Sequence, residues 1–233
     1  TNNLTVTATF DNSGGGIVDL NTKNLTVGDW QDNGTITNNA VSTATFTVGT
    51  GGSNTNFSGV ISNGTIPVTM IVAVTKTGAG TLTLSGNNSY SGLTTVSAGI
   101  LDVKNNTALG TTAGATIVSA GAALQIDGSV LTIAEPITLS NSSGISAVGA
   151  LRNLANNNTW SGAILLTTGG RVNSDGGTLT LTGGVTGNGT AFSVGGSGNT
   201  TMNTTGVNTG SNGPLLKDGT GTLAITASGS STW

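Results

Sequence analysis

The chain has 233 residues, a formal net charge of −3 at pH 7, and neither cysteine nor histidine. These absences exclude thiol catalysis, a Ser-His-Asp triad and metal sites built on cysteine or histidine. Only 6% of the residues are charged, and the six Lys and Arg residues form no basic patch, so we expect no nucleic-acid partner.

The 39 glycines, together with many Asn and Ser residues, separate short runs of leucine and β-branched residues. This pattern predicts many short strands joined by tight turns. The longest nearly apolar stretch, VTMIVAV at 68–74, has the length of a strand, so we expect no transmembrane segment in this chain.

Residues 1–44 are predicted to be an N-terminal β segment that acts as a cap or as a strand linking subunits. The sequence NLTVTATF at 3–10 alternates apolar and polar residues, as expected for a strand that can add to a neighbouring sheet. The candidate subunit contacts are Leu4, Val6, Ala8, Phe10 and Trp233.

The acidic residues give little indication of a catalytic carboxylate pair, because only Asp29 and Asp32 lie close together in sequence. Glycoside hydrolysis needs two carboxyl groups facing one sugar, and a DWQDNG stretch is more typical of a polar turn. The stretches at 14–19 and 173–177 only approximate calcium-binding repeats, and each is isolated. We therefore predict no catalytic residue, no metal site and no cofactor.

Residues 45–233 contain repeated patterns. An aromatic residue followed by Ser-Gly occurs at Phe57, Tyr90 and Trp160, and the chain stops at a fourth aromatic, Trp233. The intervals between these aromatics are uneven, the two longer ones being about twice the first. A second pattern, Gly-Thr-Leu-x-Leu or a close variant, follows Lys76 and Lys217 and recurs without the lysine near Leu179.

Strands of period two with Gly and Asn corners are the parts of a β-solenoid, whose coils stack about 4.8 Å apart. We predict an all-β fold, a parallel β-helix of about ten coils, with a β-sandwich filament subunit as the alternative. Stacking also explains the low charge, because like charges repeated in adjacent coils would repel one another.

The segment KTGAGTLTLSGNNSYSGLTTVSAGILDV, residues 76–103, resembles the autotransporter-associated β-strand repeat. A half copy lies at 217–233, and weaker partial copies lie near 45–62 and 157–184. The resemblance implies a right-handed β-helical passenger domain of a type V secreted protein, located outside the cell or at its surface.

The expected function is structural: a solenoid segment that spaces, adheres or assembles end to end into a filament. Two alternatives remain, an adhesin that binds surface polysaccharide and a β-helix enzyme that cleaves polysaccharide. The motif aromatics are interpreted either as a stack for sugars or, preferably, as packing residues at the solenoid corners. They are Phe57, Tyr90, Trp160 and Trp233.

Overall fold

A computed structural model of the chain describes residues 3–12, 14–65, 69–140, 143–203, 206–226, 228 and 231–232. The chain forms two compact units, Thr1–Thr116 and Ile117–Trp233. Both are built from short strands. The helical content of the described residues is one 3-10 turn, η1 Ile145–Ala147.

The first unit has three parallel sheets. The strands of its longest sheet are, in spatial order, β1 (Leu4–Asp11), β3 (Leu25–Gln31), β5 (Ser42–Val48), β8 (Met70–Lys76) and β10 (Thr94–Val96). A second sheet contains β6 (Thr55–Phe57), β9 (Thr81–Leu84) and β11 (Ile100–Val103). The third contains β2 (Ile17–Asp19), β4 (Thr35–Thr37) and β7 (Val60–Ile61). Strand β12 (Thr116–Val118) contains the boundary between the units.

The second unit also has three parallel sheets. One contains β15 (Ile137–Leu139), β18 (Ile164–Leu166), β21 (Val185–Thr186) and β24 (Val207–Asn208). Another contains β13 (Ala123–Ile126), β16 (Leu151–Asn153), β19 (Gly170–Ser174), β22 (Phe192–Gly195) and β25 (Leu215–Lys217). The last contains β14 (Thr132–Ile133), β17 (Asn157–Trp160), β20 (Thr178–Leu181), β23 (Asn199–Met202) and β26 (Leu223–Ile225).

Consecutive coils place equivalent side chains in register. In the first unit Leu25 pairs with Phe46, and Phe46 pairs with Val74, so the coils differ in length while the pairing is kept. These positions face the interior because successive residues of a strand point to opposite sides. Each unit therefore buries a column of apolar side chains along its own axis.

The prediction of an all-β parallel solenoid of about ten coils is confirmed. The longest sheet of the first unit has five strands, and its counterpart in the second unit has four, with β12 at the boundary between them. The alternative, a β-sandwich, is wrong, because every ladder between the described strands is parallel. The predicted domain boundary between residues 44 and 45 falls inside β5, and the compact units divide at residues 116 and 117.

The Ser-Gly dipeptides after Phe57 and Trp160 have a physical explanation. The Ser58 hydroxyl donates to the Asp32 carbonyl of the preceding coil (3.3 Å), and the Ser161 hydroxyl donates to the Ile133 carbonyl (3.2 Å). A Cβ atom on Gly59 would collide with the carbonyl oxygen of Gly34. Glycine therefore lets two coils approach closely at a corner where a larger residue would force the backbone apart.

Candidate functional sites: a buried lysine corner and a polar groove

Lys76 occupies an interior position of the first unit. It pairs in register with Val48 on one side and with Val96 on the other, and it is only 1% exposed. Lysine is almost never buried to this extent unless its ammonium group is paired. The neighbouring contacts must therefore satisfy the charge.

Three backbone carbonyls accept hydrogen bonds from the Lys76 ammonium group. They belong to Thr77 (2.5 Å), Gly78 (2.9 Å) and Ala98 (3.2 Å). The first two lie in the turn that follows Lys76, and the third lies in the next coil. Burial lowers the pKa of Lys76 to about 8, and the negative charge of Asp29 opposes this shift. The lysine thus ties one corner of the coil to the coil that follows.

The space for this ammonium group depends on glycine. Gly99 has a φ of 66°, a conformation that other residues rarely adopt. A Cβ atom at Gly99 would lie 2.8 Å from Lys76 Nζ and would also collide with the carbonyls of Gly78 and Gly80. The Ser-Ala-Gly stretch that ends at Gly99 therefore provides both a carbonyl acceptor and an unobstructed corner.

Lys217, the lysine of the second copy, makes the same local contacts in a different environment. Its ammonium group donates to the carbonyls of Asp218 and Gly219. Its side chain is exposed, whereas that of Lys76 is buried. The same motif therefore occurs once with a buried lysine and once with an exposed lysine.

The three described motif aromatics are all buried. Phe57 is 1% exposed, and Tyr90 and Trp160 are fully buried. The Tyr90 hydroxyl lies 2.7 Å from the Thr94 hydroxyl. These are the positions that the packing interpretation expects, and the rings have no exposed face for a sugar. Trp233 lies outside the described residues.

A different aromatic cluster forms around Trp30 in the first unit. Trp30 is fully buried and stacks on Phe10, with ring centroids 4.6 Å apart and ring planes 2° apart. Phe46 and Phe57 contact its other sides at 5.1 and 6.2 Å. The sequence did not predict this cluster, because its four rings come from three successive coils.

A polar groove crosses the first unit. It has a volume of about 380 Å³ and is lined by Asp11, Gln31, Asp32, Asn33, Asn56 and Ser58. A neighbouring groove shares two of these residues and is lined by Gln31, Asn54, Thr55, Asn56, Thr81 and Thr83. Together they present amide and hydroxyl groups across successive coils.

The structure separates the two acids considered for catalysis. Asp32 lines the groove and accepts a hydrogen bond from the Gly34 amide at 2.6 Å. Asp29 is not one of the residues lining either groove, and it accepts a hydrogen bond from the Ser53 amide at 3.2 Å. The absence of catalytic residues stays a prediction.

In the two stretches considered as calcium-binding repeats, the aspartate side chains form contacts with other residues of the protein. Asp19 accepts hydrogen bonds from the backbone amides of Asn21 and Asn39. Asp175 forms an ion pair with Arg152. No three Asp, Glu, His or Cys residues of the described part of the chain come together as a metal site.

The candidate subunit contacts at the N-terminus lie on β1, an edge strand of the first unit. Leu4 is 57% exposed, Ala8 is exposed, and Val6 and Phe10 are half-buried. Leu4 and Val6 pair in register with interior residues of β3, so their side chains continue the apolar column. Whether another subunit contacts them stays a prediction.

A known family of repeats matches the segment that contains the buried lysine corner. Residues 74–103 match the passenger-associated-transport-repeat. This passenger repeat begins near the end of β8 and ends with β11, so it includes Lys76, Tyr90 and Gly99. The predicted resemblance to an autotransporter passenger repeat is confirmed for this segment.

No curated protein and no solved structure is significantly similar to the chain. Among the residues that the structure describes, no helix is long and apolar enough to cross a membrane.

Proposed function

We propose that this chain is a structural segment of an autotransporter-like passenger that is exported and displayed at the cell surface. Two observations support the proposal: the passenger repeat at residues 74–103 and the parallel solenoid in which it lies. Labelling of intact source cells by an antibody against the chain would test the location. Labelling that requires permeabilised cells would contradict it.

The proposed structural role is supported by the positions of residues within the repeat. Lys76 and Tyr90 are buried, and both make polar contacts that hold the coil together. The repeat thus provides packing and corner stability. We propose on the same ground that the chain is not an enzyme, because its most distinctive residues are internal.

The exposed edge of β1 also suggests that copies of the chain assemble end to end. On its outer side β1 faces no other described strand of its unit. An uncovered edge with apolar side chains at interior positions favours addition of another strand. We propose that a second copy of the chain supplies that strand.

Electron microscopy with light scattering tests the assembly of the purified chain. We expect filaments, and we expect Leu4→Lys with Val6→Lys to abolish them, because lysines at interior positions of an edge strand oppose pairing. The matched control, Thr5→Lys with Thr7→Lys, places the same charges on the outward face and should leave the filaments intact. Short monodisperse rods of the wild-type chain would contradict end-to-end assembly.

An adhesin that binds polysaccharide is the second candidate, and the paired grooves favour it. Asn56 pairs in register with Thr83, so polar side chains repeat about every 4.8 Å along the axis of the first unit. A linear, hydroxyl-rich polymer lying along the axis would meet them in turn. A carbohydrate array tests this candidate. Binding that survives both Asn56→Ala and Thr83→Ala would contradict it.

A further inference from the structure

The groove lined by Asp11 and Asp32 brings together side-chain oxygens from three successive coils. Asp11 ends β1 and pairs in register with Gln31, the last residue of β3. Asp32 forms a bridge with Phe57 of β6, which places Asn56 and Ser58 on the third coil. None of the six lining residues carries a positive charge.

Asp32 is the unusual member of this group. The residue is 6% exposed, and its Oδ1 atom accepts the amide hydrogen bond of Gly34. Its Oδ2 atom is buried and forms no hydrogen bond with any described residue. Burying a carboxylate oxygen is costly unless a donor or a cation satisfies it. A cation in the groove would satisfy this oxygen.

We propose that this groove binds a calcium ion. Calcium takes six to eight oxygen ligands, and carboxylate and amide side-chain oxygens are among those it accepts. The carboxylates of Asp11 and Asp32 would supply the charge, and Gln31, Asn33, Asn56 and Ser58 would supply neutral oxygens. With only two carboxylates, the affinity falls in the range of extracellular modules, with a Kd of roughly 10⁻⁴–10⁻³ M.

The ion would link the first three coils of the unit. It would hold the end of the edge strand β1 against β3 and β6 through charge as well as through the β1–β3 ladder. Calcium at millimolar concentration would therefore stabilise the N-terminal coils. This site does not depend on the repeat at 74–103 or on filament formation.

The full chain is titrated with terbium, a luminescent substitute for calcium, and the bound terbium is then displaced with calcium or magnesium. We expect calcium to compete in the range of roughly 10⁻⁴–10⁻³ M and magnesium to compete at least about tenfold more weakly. At a calcium concentration of ten times Kd, the equilibrium constant for folding should rise about tenfold over that in EDTA.

Three variants with the same change in charge locate the site. Asp11→Asn and Asp32→Asn should each weaken calcium binding at least about tenfold. Asp29→Asn, in the same unit but outside the groove, keeps the oxygen that accepts the Ser53 amide and should bind as the wild type does. Asp11 is exposed, so its variant tests the site even if Asp32→Asn fails to fold. No competition by calcium, or unchanged binding by Asp11→Asn, would overturn the proposal.

Discussion

Replacing Trp30 with alanine is expected to lower the free energy of unfolding of the first unit by about 4 kcal/mol. Trp30 is fully buried, and its ring contacts the rings of Phe10, Phe46 and Phe57. The substitution removes a large apolar surface and leaves a cavity among side chains that belong to three coils. It also exposes one face of Phe10, which stacks on the indole.

Urea unfolding followed by far-UV circular dichroism measures this effect without relying on tryptophan fluorescence. Trp30→Phe is the matched comparison, because it keeps an aromatic ring at the centre of the cluster. We expect this variant to lose less than half as much stability. A loss below about 1 kcal/mol for Trp30→Ala would mean that the four rings are not packed together.

Replacing Lys76 with methionine is expected to cost about 3 kcal/mol at pH 7. Methionine has a similar length and is apolar, so the interior position between Val48 and Val96 stays filled. The loss comes from the carbonyls of Thr77, Gly78 and Ala98, which would no longer receive a charged donor. Urea unfolding measures the difference from the wild type.

Lys217→Met is the control, because Lys217 has the same local contacts but is exposed. Its carbonyl partners, those of Asp218 and Gly219, can be hydrated when the ammonium group is removed. We expect a change within about 0.5 kcal/mol, the usual range for surface substitutions. Equal losses at Lys76 and Lys217 would contradict the role given to burial.

The stability difference between wild type and Lys76→Met should also depend on pH. The pKa of Lys76 is about 8 in the folded chain and 10.5 for an ordinary lysine. Between these values the unfolded chain binds more protons, so the unfolding free energy of the wild type should rise with pH. The methionine variant lacks this group, so the difference should grow above pH 8. A flat difference up to pH 9.5 would contradict the lowered pKa.

The sequence was sufficient to predict the architecture, because the signals for it are local. Alternation in segments such as Thr81–Leu84 predicts a half-buried strand, and Gly and Asn predict the corners. The structure confirms both the strands and their stacking. The strands and corners depend mainly on residues that are neighbours in the chain, whereas the stacking pairs residues of successive coils.

The spacing of the aromatic motifs in the sequence does not give the length of a coil. In the first unit Phe57 pairs with Leu84, and in the second unit Trp160 pairs with Leu181. An interior position that holds an aromatic residue in one coil thus holds an aliphatic residue in the next. Aromatic motifs mark only some coils, which explains their uneven intervals.

The different exposure of the two lysines also depends on contacts that are distant in sequence. Lys76 and Lys217 precede similar turns, and the difference is the Ala98 carbonyl that a following coil brings to Lys76. That carbonyl is far from Lys76 in sequence.

Three asparagines in the first unit are regularly spaced in the sequence. Asn38, Asn63 and Asn88 recur at equal intervals, and their side-chain oxygens accept backbone amides from Thr22, Val72 and Ile61 respectively. The register of β4 and β7 makes Asn38 and Asn63 equivalent corner residues, whereas Asn88 lies against Ile61 and does not continue that position. In a chain so rich in asparagine this regularity is hidden among many others.

Disulfide formation between cysteines placed on neighbouring coils tests the stacked parallel register most directly, because the natural chain has no cysteine. Asn56 and Thr83 are in register on adjacent coils, so their Cα atoms lie about 4.8 Å apart, within the range of a disulfide. We expect rapid oxidation of Asn56→Cys with Thr83→Cys. We expect none for Asn56→Cys with Asp102→Cys, two coils apart. A chain in which the first pair stays reduced, or both pairs oxidise equally, would contradict the solenoid.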